Sequence, residues 1–106
     1  MKQWSKAKIT VLEKHVMKNL VEEFITDDRK EKGFGICDAF KQGQEFILEA
    51  GPHKPEGFCS WAWADIHKDL IAIMAGANFP WIKQDGVAVA CCTDAIRPVI
   101  FKIERI

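Results

Sequence analysis

Three things are missing from this 106-residue sequence: an imbalance of charge, a long apolar run and a Cys-x-x-Cys pair. Fifteen basic and 15 acidic residues cancel, so the chain offers no electrostatic footprint for nucleic acid or for an anionic membrane. The lysines before Lys14 and the acids from Glu22 to Glu31 form no single-sign block, and a solvated surface accounts for both. No apolar stretch approaches the length of a membrane span. The polar start, Gln3-Trp4-Ser5-Lys6, is not followed by the apolar core of a signal peptide. The expectation is a cytoplasmic protein. The length suits a single domain spanning residues 1–106, with one hydrophobic core.

Without a Cys-x-x-Cys knuckle, the usual zinc-ribbon and ferredoxin frameworks are excluded. Four cysteines remain, Cys37, Cys59, Cys91 and Cys92, and in a reducing compartment they read as thiols or ligands rather than disulfides. A metal site would then have to be assembled by the fold.

The stretch Gly57-Phe58-Cys59-Ser60-Trp61-Ala62-Trp63-Ala64-Asp65-Ile66-His67 gathers a thiol, two indoles, a carboxylate and an imidazole. It opens the most persuasive helix, because Trp63, Ile66, Leu70, Ile73 and Met74 recur at helical spacing up to Gly76. Ser60 is the expected N-cap, with Gly57 turning the chain into it. Cys59 then lies at the helix N-terminus, where unpaired N–H groups favour a thiolate. The alternative is that Cys59 packs beneath the tryptophans as a small apolar residue. Trp61 points about 160° away from the buried stripe and needs another surface to cover it.

Around this helix, Lys6 to Leu12 alternates as a half-buried strand, and Val16, Leu20, Val21, Phe24 and Ile25 mark a short helix closed by Thr26-Asp27-Asp28. The charged run 27–32 and Gly33-Phe34-Gly35 read as an exposed loop before Cys37. A strand from Glu45 to Ala50 follows. The breaker-rich loop Gly51-Pro52-His53-Lys54-Pro55-Glu56-Gly57 then carries His53 towards Cys59. Gly76 suits a left-handed helix stop, and Phe79-Pro80-Trp81 a turn that seals the core. Gly86–Cys92 and Pro98–Ile106 read as strands of a hairpin joined by Thr93-Asp94-Ala95-Ile96-Arg97. Alternation puts Val87, Val89 and Cys91 on one face and Ala88, Ala90 and Cys92 on the other. The valine side is taken as the core side, burying Cys91 and leaving Cys92 at a cleft. The sum is an α+β fold: a small, mostly antiparallel sheet with one central helix packed across it and a second, shorter helix beside that one.

The segments Pro55-Glu56-Gly57-Phe58-Cys59-Ser60-Trp61-Ala62-Trp63-Ala64-Asp65-Ile66, Phe79-Pro80-Trp81, Cys91-Cys92-Thr93-Asp94 and Arg97-Pro98-Val99-Ile100-Phe101-Lys102-Ile103-Glu104-Arg105 carry a resemblance. Together they resemble an uncharacterised family of small single-domain proteins common in anaerobic bacteria and archaea. The likeness runs from the first strand to the C-terminus and implies no established activity.

Three functional classes follow. The first is a cysteine-centred site in which Cys59 at the helix start and Cys92 at the strand end converge, as catalytic thiols for redox or sulfur chemistry. As a metal site, zinc or iron–sulfur, the same pair would be completed by Cys37, Cys91 or His53. The second is a non-catalytic module binding a small molecule or a protein. Here Trp61, Trp63, Phe79 and Trp81 line an apolar pocket, and Arg97, beside Asp94, fixes an acidic group. Asp94 and Arg97 can equally pair with each other to order their turn. The third is a homo-oligomer, suggested by the uncovered Trp61 and a C-terminal strand able to pair across a two-fold axis.

Overall fold

Alternation and helical spacing produce the elements they announce. The computed structural model describes residues 3–106. In chain order it contains β1 (Ala7–Lys14), α1 (Lys18–Phe24), α2 (Asp27–Glu31), β2 (Glu45–Leu48), α3 (Ser60–Met74), β3 (Val87–Cys91) and β4 (Val99–Arg105). The strands form one antiparallel sheet in the order β2-β1-β4-β3, with α3 across one face, which makes the fold α+β. Ile9 faces Phe46 on one side and Ile103 on the other, so the inward residues of three strands form a continuous apolar row. The register of β1 against β4 shifts between Val11 and Glu13, a bulge that re-aims the end of β1. The C-terminal strand is held between β1 and β3, so its edges are already paired and cannot meet a second copy.

The core lies between the sheet and α3. Ile9, Val11, Phe101 and Ile103 meet Ala62, Ile66, Leu70, Ile73 and Met74, all 1% exposed or less. Each such large side chain contributes about 1.5–3 kcal/mol relative to exposure. At the end nearest the start of α3, Phe40 and Phe58 close over Phe101, with ring centroids 5.1 and 5.7 Å from it.

The helix starts one residue earlier than expected. Trp63 N–H donates to Cys59 O at 2.9 Å, so Cys59 is the N-cap, and its thiol makes no capping hydrogen bond. Burial of Phe58 anchors the chain here, which leaves Ser60 inside the first turn, where its Oγ accepts from Lys54 Nζ at 2.8 Å. The far end follows expectation: Gly76 adopts φ +104°, and Ala77 N–H and Gly76 N–H donate to Ala72 O and Ile73 O, closing the helix in a Schellman turn. Arg105 secures this end further. Its Nη1 donates to Ile73 O (2.8 Å) and Ala77 O (2.7 Å), and its Nη2 to Asn78 Oδ1 (2.6 Å).

Two further expectations are corrected. Thr26-Asp27-Asp28 opens α2 rather than closing α1, because Thr26 Oγ1 accepts from Arg29 N–H (3.3 Å) as an N-cap. Residues that end one helix are also those that begin another. Neither short helix adds a residue to the main core, so α1 does not complete a second layer beside α3, and the molecule is elongated, 54 × 30 × 20 Å.

The second correction concerns β3. Ala88, Ala90 and the following Cys92 are buried, whereas Val89 and Cys91 are exposed. Volume accounts for this better than apolarity: α3 packs against β3, and the small Ala88 and Ala90 beneath it allow a close approach. Cys91 therefore faces away from the core and Cys92 faces into it.

Candidate functional site

Where the start of α3 meets the end of β3, three stretches of chain form a cleft of about 550 Å³. The 37–40 loop supplies Cys37, Asp38 and Phe40; the helix start, Cys59 and Trp61; and the strand end with the β3–β4 turn that follows it, Cys92, Thr93, Asp94 and Arg97. The structure thus brings together Cys37, Cys59, Cys92, Trp61, Asp94 and Arg97. It does not bring Cys91, His53, Trp63 or Trp81 to them. Trp63 packs on Phe58 (5.6 Å between centroids) and His67 (5.3 Å), and Trp81 stacks on Phe79 (5.3 Å) at the β3 edge, 77% exposed. His53 stays in its exposed loop.

Each wall is tied down. Lys14, at the end of β1, donates from Nζ to Phe40 O (2.7 Å) and Cys37 O (3.0 Å), holding the loop that presents Cys37. Trp61 is 65% exposed, yet its ring is oriented: Nε1 donates to Thr93 Oγ1 (2.8 Å), and Thr93 donates from both N (2.7 Å) and Oγ1 (3.0 Å) to Asp65 Oδ2. The helix start and the turn are joined through this chain of bonds. Lys14, Asp65 and Thr93 are not among the site residues expected from the sequence, although Asp65 and Thr93 lie in the stretches singled out there. The i,i+4 spacing of Trp61 and Asp65 is a signal that both reach one neighbour; for Lys14, whose partners lie 23 and 26 residues away, there is none.

The turn itself is built on Asp94. Its Oδ1 accepts from Ile96 N–H (3.0 Å) and Arg97 N–H (2.9 Å), and its Oδ2 from Arg97 Nε (3.1 Å). Partial burial works against the Asp94 carboxylate, but the backbone N–H groups of Arg97 and Ile96 and the Arg97 guanidinium outweigh it and hold its pKa below the ordinary value. Arg97 Cζ also lies 4.5 Å from the centre of the Phe34 ring, a cation–π contact on the other side of the guanidinium.

The thiols differ. Cys92 is 9% exposed and its Sγ accepts from Val99 N–H at 3.3 Å. Cys37 and Cys59 are half-buried. Cys91 Sγ donates to Cys92 O at 3.1 Å; partial burial first, then the neighbouring Cys92 and Asp65, push its thiol pKa up.

No protein-family model, curated protein or solved structure matches this chain. Its chemistry must be read from the cleft. Among the described residues no group of three or more His, Cys, Asp or Glu side chains is disposed to hold a metal ion. No histidine lines the cleft, and of its two carboxylates Asp94 is committed to the turn. The arrangement offers two accessible thiols, an aromatic wall and a cation, with no imidazole to take a thiol proton. Among the described residues no helix is long and apolar enough to cross a membrane.

Proposed function

We propose that the protein is a small-molecule-binding module whose ligand lies in this cleft, against Trp61 and within reach of the Cys37 and Cys59 thiols. The observation that carries the reading is convergence: three stretches distant in sequence, 37–40, 59–62 and 92–99, meet at one concave, mainly apolar space. Its size is in the range of ligand sites. The apolar floor, with Phe40 and Ala62, suits an uncharged ligand body. The thiols suit a soft contact or reversible covalent attachment to an electrophilic or sulfur-bearing ligand. We further propose that the chain belongs with the uncharacterised small proteins its motifs resemble, because Cys59, Trp61, Cys92, Thr93, Asp94 and Arg97 of those motifs are cleft residues. Four free cysteines accord with a reducing compartment, and the cytoplasm is our assignment.

Maleimides of different polarity test the reading without knowledge of the natural ligand. N-phenylmaleimide should alkylate Cys59 faster than a sulfonated maleimide does, because the apolar cleft concentrates the first. Trp61→Ala should remove the preference. Equal rates for the two reagents, or a preference that survives Trp61→Ala, would mean that no apolar binding site surrounds the thiol.

A further inference from the structure

Beside the thiol cleft lies a second, more polar one of about 390 Å³, formed by the 28–36 segment with Asp38 and Arg97. Arg97 is a wall of both. Its guanidinium is held from two sides, by Asp94 through Nε and by the face of Phe34, while neither Nη nitrogen donates to any described protein group. A guanidinium fixed in this way is a ready fork for a planar or tetrahedral oxyanion, because the entropy of ordering it has already been spent. Within the outer cleft Lys32 is paired with Asp28 at 3.1 Å, but Arg29 has no ion pair among the described residues. Two guanidinium groups and Lys32 border the space, against the carboxylates of Asp28 and Asp38. With Lys32 paired to Asp28 and Arg97 to Asp94 through Nε alone, the donors left free among the described residues are Arg29 and the two Nη nitrogens of Arg97, and Asp38 lacks a described ion pair.

From this placement we infer that the two clefts are one bipartite site: Arg97 and Arg29 hold a phosphate monoester, and the organic body of the same ligand runs past Arg97 into the thiol cleft. The inference rests on the reading of the thiol cleft as a ligand site and adds the chemical class of its ligand. A phosphate is favoured over a carboxylate because two guanidinium groups border the outer space, and each has N–H groups free to donate to phosphate oxygens, more donors than two carboxylate oxygens need. Asp38 opposes the anion, so the electrostatic sign of the site can be tested from both directions.

The experiment measures iodoacetamide alkylation of Cys59, located by peptide mass spectrometry, with phenyl phosphate, phenol or inorganic phosphate present. Phenyl phosphate should slow alkylation more than either fragment. Arg97→Gln should weaken that protection about tenfold and Arg29→Gln a few-fold, while Asp38→Asn should strengthen it. Arg29 is exposed and outside the Asp94 turn, so its variant remains informative if Arg97→Gln loosens the loop; thermal melts identify that case. Equal protection by phenol and phenyl phosphate, unchanged in the Arg29 and Arg97 variants, would overturn the anion site and leave the thiol cleft standing. If inorganic phosphate raises the melting temperature through Arg97 while no probe slows Cys59, the anion site stands alone. The joined site, and the thiol cleft as a place for the ligand body, would then both be refuted. No effect of any probe would overturn both.

Discussion

Exchanging Cys92 and Cys91 in turn tests the arrangement of β3 and the floor of the cleft together. Cys92 is 9% exposed, and its Sγ is the acceptor for Val99 N–H. Cys92→Ala leaves that amide without its partner, at about 1–3 kcal/mol for an unsatisfied buried donor, and deletes a buried sulfur. A loss of about 2 kcal/mol is expected, which in a domain of this size lowers the melting temperature by about 10 °C. Cys92→Ser keeps an oxygen acceptor at the site and should lose only about 1 kcal/mol. Cys91 lies on the solvent side of the strand, so Cys91→Ala should stay within about 0.5 kcal/mol of the parent. Urea melts decide the matter, provided the dependence on denaturant is the same for all variants, so that midpoints report stability alone. Labelling gives a second reading. Cys92 should react only as fast as the structure opens, and Cys91 should react in the folded state. The Cys91 rate should rise at higher pH than for an ordinary thiol, since partial burial raises its pKa. A Cys91 variant that melts earlier than the Cys92 variant, or a Cys92 that labels in the folded state, would refute the inverted face.

The remaining predictions concern the ties that hold the helix and the cleft. Arg105→Ala removes three hydrogen bonds at the end of α3 and a cation from the negative end of its dipole, and should lower stability by about 2–3 kcal/mol in urea melts; Arg105→Lys should recover part of this. Asp94 has a folded-state pKa below its unfolded one, so its stabilisation is complete at neutral pH and fades as pH falls below about 4. Asp94→Asn should lower stability near pH 7 and make the acid limb of the pH profile shallower, and an unchanged acid limb would disprove this role. Thr93→Val breaks the link between Trp61 and Asp65 and, being exposed, should lower stability by only about 0.5–1 kcal/mol. The same variant should speed alkylation of Cys59 by releasing Trp61, as kinetic labelling would show.

What the sequence made legible is what repeats. Strands β1 and β4 and helix α3 follow their apolar periods, because a period states which residues share a face and a long period tolerates a few exceptions. The helix stop at Gly76 was legible for a different reason: a positive φ there is natural for glycine alone. Strand β3 was misread because Val-Ala-Val-Ala alternates in size rather than polarity, and which side is buried depends on how near the helix comes. Nothing within the strand states that distance. Convergence of Cys59 with Cys92 was legible as the meeting of a helix start and a strand end, whereas the Lys14 bonds to the 37–40 loop depend on the tertiary path of the chain.

These ties also hold the cleft in one arrangement, which the proposed binding role requires. Its floor is the aromatic end of the core, with Phe40 packed on Phe58 and Phe101. Its three rims are secured by separate devices: Lys14 on the cysteine loop, Asp65 and Thr93 on the tryptophan, and Asp94 on the arginine. Because these devices use different residues, loosening one rim leaves the others in place, and single substitutions should weaken parts of the site rather than abolish it. The Asp94 carboxylate engages the guanidinium through Nε and leaves the outer nitrogens to face the clefts, so the interaction that orders the turn also aims the cation. A lysine at position 97 could provide the charge, but neither the Nε contact nor the planar fork. On this geometry Arg97→Lys should separate orientation from charge, since it keeps the cation and loses the alignment that the turn imposes.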